Sequence, residues 1–131
     1  MQSEKTDKGE LQTWTVEEVK KAFEEGRVVL IDVRTPQEYL IERIPGAMNY
    51  PMQEFMAGTL PGEAVKQVVF HCGSGKRSEK VAREVLEAGH DVVAHMDGGF
   101  GAWKKAEMPH IATDVSTGAP KRVGDATWPK R

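Results

Sequence analysis

Three short apolar runs, rich in β-branched residues, recur along the chain. They occupy residues 28–33 (VVLIDV), 67–71 (QVVFH) and 91–96 (DVVAHM). Such runs are typical of strands that are buried on both faces of a sheet. Amphipathic helical patterns lie between them. Strands that alternate with helices predict an α/β fold with a mostly parallel central sheet and helices on both faces.

Local signals mark where several helices begin and end. Thr15 with Glu18, and Thr35 with Glu38, form the sequence pattern of a capping box, and Pro36 suits the first position of a helix. Glycines predict the ends of two helices, at positions 26 and 89.

The remaining elements are shorter or less clearly marked. We predict a brief helix over residues 52–57 and a loop at residues 60–62. A longer helix is expected from Ser78, and a last short helix contains Phe100 and Trp103.

Composition limits the classes of function. The chain has 131 residues, of which 39 % are hydrophobic and 29 % charged, as in one soluble globular domain. Its formal net charge of −2 predicts neither nucleic acid nor a membrane surface as a partner, and no apolar run is long enough for a membrane helix. The polar start lacks the apolar segment of a signal peptide. A single cysteine excludes an intramolecular disulfide and is typical of a reducing compartment, so we expect a cytoplasmic protein.

The two ends of the chain differ in character from its middle. We predict a flexible lead-in over residues 1–11, a folded domain over 12–110 and a C-terminal extension over 111–131. The extension has few apolar residues and several glycines and prolines, so we expect it to be irregular or partly disordered. The alternative is an arm, anchored by Trp128, through which the chain forms a homodimer or binds another partner.

The only cysteine, Cys72, directly follows the second apolar run and opens a short loop that leads into a helix. Helix N-termini and neighbouring cations lower the pKa of a cysteine thiol. Both are expected here, since the helix, Lys76 and Arg77 follow closely, and Gly73 and Gly75 permit close approach of the backbone. The alternative is a small buried apolar residue, which is the common role of a lone cysteine. The context favours a nucleophile whose ligand is held by backbone amides.

Four segments resemble the signatures of one known family. Residues 72–78 (CGSGKRS) resemble the active-site loop of rhodaneses, the thiosulfate sulfurtransferases, whose common form is C-x-x-G-x-R-S. Residues 30–39 (LIDVRTPQEY), 44–49 (IPGAMN) and 98–103 (GGFGAW) resemble other rhodanese signatures, in the family's order. Together they cover roughly residues 12–108. The chain is similar to a single-domain rhodanese, which implies a three-layer rhodanese-like α/β fold.

The resemblance also implies a reaction. Cys72 would take a sulfane sulfur from thiosulfate or a related persulfide donor, a small anion, and pass it to cyanide or a thiol. The substrate-binding residues would be the rest of the loop: Gly73, Ser74, Gly75, Lys76, Arg77 and Ser78. Asp32 and Arg34 would support the loop, or would form a purely structural ion pair. Glu42 and Arg43 replace the family's usual Gly-His, so Arg43 is either an altered substrate contact or an exposed side chain.

Two loop residues have ordinary structural alternatives. Lys76 is also interpreted as a solvated surface charge, and Ser78 as a residue that satisfies amides at the helix start. The four histidines lack the spacing of metal ligands, and we expect neither a metal nor a cofactor. These histidines are His71, His90, His95 and His110.

Other functions remain open for the same loop. Protein phosphatases have a similar H-C-x-x-G-x-x-R-S loop, but four residues separate Cys72 from Arg77, whereas phosphatases and their rhodanese-fold relatives require five. Arsenate reductases of this fold also have the longer loop. A non-catalytic rhodanese-like module for binding partners is the third alternative, although such modules commonly lack the cysteine.

Overall fold

The computed structural model describes residues 1–59 and 66–130, which form an α/β fold around a six-stranded sheet. The strands are β1 (Gln2–Lys5), β2 (Glu10–Trp14), β3 (Val28–Asp32), β4 (Met48–Asn49), β5 (Gln67–His71), β6 (Val92–Met96), β7 (His110–Thr113) and β8 (Pro120–Val123). The α-helices are α1 (Val16–Glu24), α2 (Pro36–Ile41), α3 (Lys76–Glu87) and α4 (Gly99–Lys105).

One segment differs locally from its prediction. Two single turns of 3₁₀ helix, Met52–Glu54 and Ala57–Thr59, replace the brief helix expected over residues 52–57. The loop predicted at residues 60–62 lies outside the described residues.

The strand order places one edge of the sheet around Cys72. The order is β1-β2-β6-β5-β3-β4; β1 pairs antiparallel with β2, and the other four pairs are parallel. The register pairs Asp32 with both His71 and Asn49, so β3, β4 and β5 end at the same edge. Ligands of parallel α/β sheets bind beyond this edge, and Cys72 is the first residue after β5.

Helices cover both faces of the sheet, as predicted. Successive strand residues alternate between two apolar clusters: Leu30 and Val69 belong to one, Ile31 and Phe70 to the other. The first cluster includes side chains of α1 and α4, and the second includes those of α3. Burial on both faces explains why the strands have almost continuous apolar sequences.

The helix starts follow local sequence signals. Both predicted capping boxes are present, at Thr15 and Thr35. However, α3 begins at Lys76 rather than at the predicted Ser78, because Gly75 adopts a left-handed conformation (φ 105°) and serves as the N-cap residue. The last loop residues therefore form the first turn of α3.

The prediction of a flexible lead-in over residues 1–11 is wrong. β1 and β2 form an antiparallel hairpin, and β2 pairs with β6, which extends the sheet. Leu11 and Trp14 are buried, whereas every residue of β1 is exposed. The polar sequence concealed β1 because hydrogen bonds between backbone groups, not apolar burial, hold this edge strand in place.

The prediction of an irregular or partly disordered C-terminal extension is also wrong for its described residues. β7 and β8 form an antiparallel hairpin, and Trp128 is only 4 % exposed. Its ring lies 5.5 Å from the rings of Phe23 and Trp103, and its Nε1 donates to Glu24 at 2.8 Å. Because Trp128 belongs to the core of its own domain, it cannot anchor a partner arm. A homodimer formed through other residues of the C-terminal extension stays a prediction.

Candidate active site

Hydrogen bonds between backbone groups hold the first two residues of the loop after β5. The Cys72 carbonyl accepts a hydrogen bond from the Phe100 amide at 2.7 Å, and the Gly73 carbonyl accepts one from the Gly101 amide at 3.0 Å. Both donors belong to α4. The side chain of Cys72 is buried (0 % exposed). The loop therefore holds its thiol beneath the surface, between the N-termini of α3 and α4.

Close approach between the loop and α4 requires glycine at one position. A Cβ on Gly99 would lie 2.5 Å from the Cys72 carbonyl oxygen and 2.7 Å from the Gly73 carbonyl carbon. Gly99 also has a φ of 60°, which side chains disfavour. Contact with the cysteine loop thus explains Gly99, whereas a Cβ on Gly98 would lie 2.6 Å from the Cβ of Ala102.

The sulfur of Cys72 is surrounded by hydrogen-bond donors. The Gly75 amide donates to Sγ at 3.0 Å, and Ser78 Oγ lies 3.7 Å from Sγ. Burial acts to raise the pKa of this thiol, but hydrogen bonds from the Ser78 amide and hydroxyl and from the Ser74 and Gly75 amides act to lower it. The net effect is a pKa below the ordinary 9.0. This environment stabilises an anion centred on sulfur.

Arg77 is paired within the protein. Its Nη1 and Nη2 donate to the two carboxylate oxygens of Glu38, at 2.8 and 3.0 Å. The guanidinium also approaches Gly73, where an added Cβ would lie 3.2 Å from Nη2, and its charge is attracted to the sulfur of Cys72. Arg77 therefore closes the loop from α3. Sequence reasoning missed Glu38 because its capping box already accounted for it.

Lys76 and Ser74 lie on the outer side of the loop, and both are exposed. They line a polar surface pocket together with Thr13, His95 and Asp97. Ser78, by contrast, is fully buried beneath them. The loop residues predicted to bind substrate thus divide into a buried group around the sulfur and an exposed group at this pocket.

Asp32 and Arg34 form a buried ion pair, with Arg34 Nη2 2.7 Å from Asp32 Oδ2. Arg34 Nη2 also donates to the Glu42 carbonyl at 2.6 Å, and its guanidinium lies 4.7 Å from the centre of the Phe100 ring. Among the hydrogen bonds found within the described residues, none joins this pair to residues 73–78. In the described residues the pair therefore does not hold the loop by direct hydrogen bonds: Arg34 turns toward Glu42 and Phe100, while Asp32 lies against Arg34 and His71.

Arg43 packs against α2. Its backbone pairs with Ile111 through two hydrogen bonds of 2.9 Å, and its guanidinium lies 5.5 Å from the centre of the Tyr39 ring. The side chain of Arg43 is thus half-buried against α2, and among the hydrogen bonds found within the described residues none joins it to the cysteine loop. A contact between Arg43 and substrate stays a prediction. Glu42 has an extended backbone (φ −148°), so the turn does not need the family's usual glycine.

Two buried histidines flank the site. His71 Nδ1 lies 3.3 Å from the Cys72 carbonyl and its Nε2 lies 3.7 Å from Asp32 Oδ2; burial lowers its pKa. His95 lies between Ser78 and Thr13, and burial lowers its pKa as well. The sequence interpretation of His95 as structural or surface overlooked its place beside Ser78, which depends on strand order.

Across residues 1–59 and 66–130, no group of three or more His, Cys, Asp or Glu side chains is arranged to hold a metal ion. None of the helices described there combines the length and apolar character needed to cross a bilayer.

Comparison with known sequences identifies similar proteins. A family model for the rhodanese-like domain matches residues 15–106. An uncharacterised protein of Synechocystis sp. is 35 % identical over 86 residues, which cover 66 % of this chain and 48 % of that protein. The chain thus spans about half the length of this curated relative.

Solved structures share the fold. A rhodanese-related protein from Thermoplasma volcanium matches with a TM-score of 0.66 at 21 % identity, covering 76 % of this chain and 96 % of that one. RPA3614 from Rhodopseudomonas palustris is described as of unknown function and a possible tyrosine phosphatase. It matches with a TM-score of 0.67 at 30 % identity, covering 76 % of this chain and 83 % of that one. Reduced CoADR-RHD from Bacillus anthracis matches with a TM-score of 0.63 at 31 % identity, covering 71 % of this chain but 16 % of that one.

Proposed function

The chain belongs to the rhodanese-like domain family, and we propose that it is a sulfurtransferase that carries sulfane sulfur as a persulfide on Cys72. The observation that carries this proposal is the environment of one sulfur atom. Amides of the loop and the Ser78 hydroxyl surround Cys72 Sγ and lower the pKa of its thiol. A nucleophilic thiolate and a persulfide anion are stabilised by the same donors.

The proposed reaction has two steps. The Cys72 thiolate attacks the outer sulfur of thiosulfate, a bond forms between the two sulfurs, and sulfite leaves with the electron pair of the broken S–S bond. Cyanide or a thiolate then attacks the outer sulfur of the Cys72 persulfide, and the cysteine leaves as the thiolate. Charge and atoms balance in both steps without a cofactor. Such covalent transfer predicts ping-pong kinetics.

We assign different roles to the two loop cations. Lys76 lies at the mouth of the polar pocket beside Ser74, where it can attract a small anion without being buried. Arg77 is already paired with Glu38, so we assign it to holding the loop closed and to attracting anionic charge toward the sulfur. We further propose a cytoplasmic setting, because a reducing compartment keeps the single thiol available.

Phosphatase activity is the second candidate, because RPA3614 is described as a possible tyrosine phosphatase at 30 % identity. The loop of this chain has four residues between Cys72 and Arg77 rather than the five of phosphatases. The shorter loop favours binding of a single sulfur atom over a phosphoryl group. Arsenate reduction meets the same objection. A non-catalytic binding module would not need the donors that surround the sulfur.

The decisive experiment combines an activity with a mass measurement. The purified protein is expected to form thiocyanate from thiosulfate and cyanide, and Cys72→Ser to abolish this activity. After incubation with thiosulfate alone, the peptide that contains Cys72 should gain about 32 Da, the mass of one sulfur atom. No adduct with thiosulfate or with a persulfide donor would refute the proposal. Hydrolysis of an aryl phosphate by the same preparation would support the phosphatase instead.

A further inference from the structure

A continuous line of hydrogen-bonding atoms connects the Cys72 sulfur with the surface pocket. Ser78 Oγ lies 3.7 Å from Cys72 Sγ and 3.0 Å from His95 Nδ1. On the other side of the imidazole, His95 Nε2 lies 3.3 Å from Thr13 Oγ1. Ser78 is fully buried and His95 is 4 % exposed, while Thr13 lines the pocket. The sulfur-transfer steps described above do not require His95 or Thr13.

The fold brings these groups together from three distant parts of the chain. The parallel register of β2 and β6 pairs Thr13 directly with His95. The first turn of α3 places Ser78 over β6, within reach of the imidazole. β2 belongs to the N-terminal hairpin, so this hairpin supplies the outer partner of a buried histidine.

The direction of the hydrogen bonds depends on the state of the sulfur. A thiol can donate to Ser78 Oγ, and Ser78 can then donate to the unprotonated Nδ1 of His95. A sulfur anion only accepts, so a hydrogen bond between the two atoms requires the Ser78 hydroxyl proton to turn toward the sulfur. Ser78 Oγ can then accept from a protonated Nδ1, and Nε2 accepts from the Thr13 hydroxyl. The Gly75 carbonyl, 3.2 Å from Ser78 Oγ, is the competing acceptor.

We propose that Thr13, His95 and Ser78 form a reversible hydrogen-bond chain that turns the Ser78 hydroxyl toward the Cys72 sulfur when this sulfur is an anion. His95 is a positioning residue, because it acts through Ser78 and does not contact the sulfur. The same orientation stabilises the persulfide anion, and this part of the inference rests on the proposed sulfurtransferase function. The thiolate part does not depend on any sulfur donor.

The charges around His95 allow it to remain neutral in this role. Burial lowers the pKa of His95, and among nearby charges Glu79 and Asp97 act to raise it while Arg83 acts to lower it. Lys76 shares the pocket with His95. The lowered pKa favours the neutral imidazole. The imidazole therefore changes tautomer rather than net charge.

The test follows the rate of iodoacetamide alkylation of Cys72 against pH. Ser78→Ala should raise the midpoint by about one pH unit, the effect of losing one hydrogen bond to a charged acceptor. His95→Phe and Thr13→Val should raise it in the same direction but less. His95→Gln, whose amide can donate to Ser78, should return the midpoint most of the way to that of the unmodified protein. His110→Gln, on β7, is the control and should leave the midpoint unchanged.

The double variant Ser78→Ala/His95→Phe separates positioning from a general structural effect. If His95 acts through Ser78, the double variant has the midpoint of Ser78→Ala alone. Additive shifts, or an unchanged midpoint in His95→Phe, would overturn the proposal. If His95→Phe does not fold, the unmodified protein supplies the test: ¹⁵N NMR should show that the protonated nitrogen of His95 changes from Nε2 to Nδ1 as the thiol ionises. An unchanged tautomer would overturn it.

Alkylation requires no sulfur donor, so this test is independent of the proposed function. Midpoint shifts without any persulfide adduct would refute sulfur transfer and leave the hydrogen-bond chain supported. A persulfide adduct together with unchanged midpoints would support sulfur transfer and refute the hydrogen-bond chain.

Discussion

Arg77 and Glu38 join the first turn of α3 to the first turn of α2 through two parallel hydrogen bonds, of 2.8 and 3.0 Å. Glu38 also accepts a hydrogen bond from the Thr35 amide at 3.0 Å, so one carboxylate both caps α2 and binds the loop arginine. The conformation of the cysteine loop therefore depends on a helix that begins far from it in the sequence.

The substitution Glu38→Gln removes the charge of this pair and keeps a side chain that can cap α2. Because 33 % of Arg77 and 38 % of Glu38 are exposed, solvent screens the pair. We expect the free energy of unfolding to fall by only about 0.5–1 kcal/mol, as measured by urea denaturation. Thiocyanate formation should fall several-fold, because Arg77 loses its fixed position. Glu25→Gln, which breaks the exposed pair with Arg27, is the control and should not change the activity.

The same pair predicts a pH dependence of stability. The hydrogen bonds from Arg77 are the main cause that lowers the pKa of Glu38 from 4.5 to about 2. A carboxyl group whose pKa is lower in the folded protein stabilises the fold above the unfolded pKa, and this contribution is lost as pH falls toward the folded pKa. The difference in unfolding free energy between the unmodified protein and Glu38→Gln should be constant near neutral pH and should shrink from pH 4.5 toward 2. A difference that grows on acidification would contradict the assignment.

Cys72 should ionise at lower pH in the folded protein than in the unfolded chain. Burial opposes ionisation, but hydrogen bonds from Ser78, Ser74 and Gly75 outweigh it and lower the pKa below 9.0. The alkylation rate of the native protein, plotted against pH, should therefore have a lower midpoint than the rate in strong denaturant. Equal midpoints would show that the loop donors do not stabilise the thiolate.

Gly99→Ala should displace the cysteine loop. The new Cβ would lie 2.5 Å from the Cys72 carbonyl oxygen, a backbone atom that can move only if the loop moves. The positive φ of Gly99 adds strain for any side chain. We expect a loss of about 2 kcal/mol or more in unfolding free energy, measured by urea denaturation, and loss of sulfur transfer. Gly58→Ala is the matched control, since a Cβ there meets no atom of residues 1–59 or 66–130 within 4 Å. Full activity in Gly99→Ala would show that the loop does not need this close contact.

Trp128→Ala should destabilise the whole domain. The indole is buried against Phe23 and Trp103, and removing such a side chain typically costs about 3–5 kcal/mol of unfolding free energy. Val115→Ala, in the same extension but fully exposed, should have almost no effect in the same urea titration. If the two variants were equally stable, the extension would not form part of the core in solution.

Local patterns predicted much of this protein because they depend on residues that are close in sequence. The capping boxes at Thr15 and Thr35 are satisfied within one turn of helix, and the apolar runs report burial on both faces of a sheet. The order of strand, glycine-containing loop and helix was enough to place Cys72 at a sheet edge with amides around its sulfur. The resemblance to rhodaneses added the family, which the match over residues 15–106 confirmed.

What the sequence alone determined is thus the α/β class, the helix starts encoded within one turn, and the cysteine loop, since each follows from neighbours a few residues apart. Only the tertiary structure decided that Glu38 binds Arg77 and that Trp128 belongs to the core. It also decided that His95 lies within hydrogen-bond distance of both Ser78 and Thr13. These contacts join segments far apart in the chain. They depend on strand order and register. A polar side chain in the sequence does not indicate such a contact, because the same residue type is equally suited to an exposed surface.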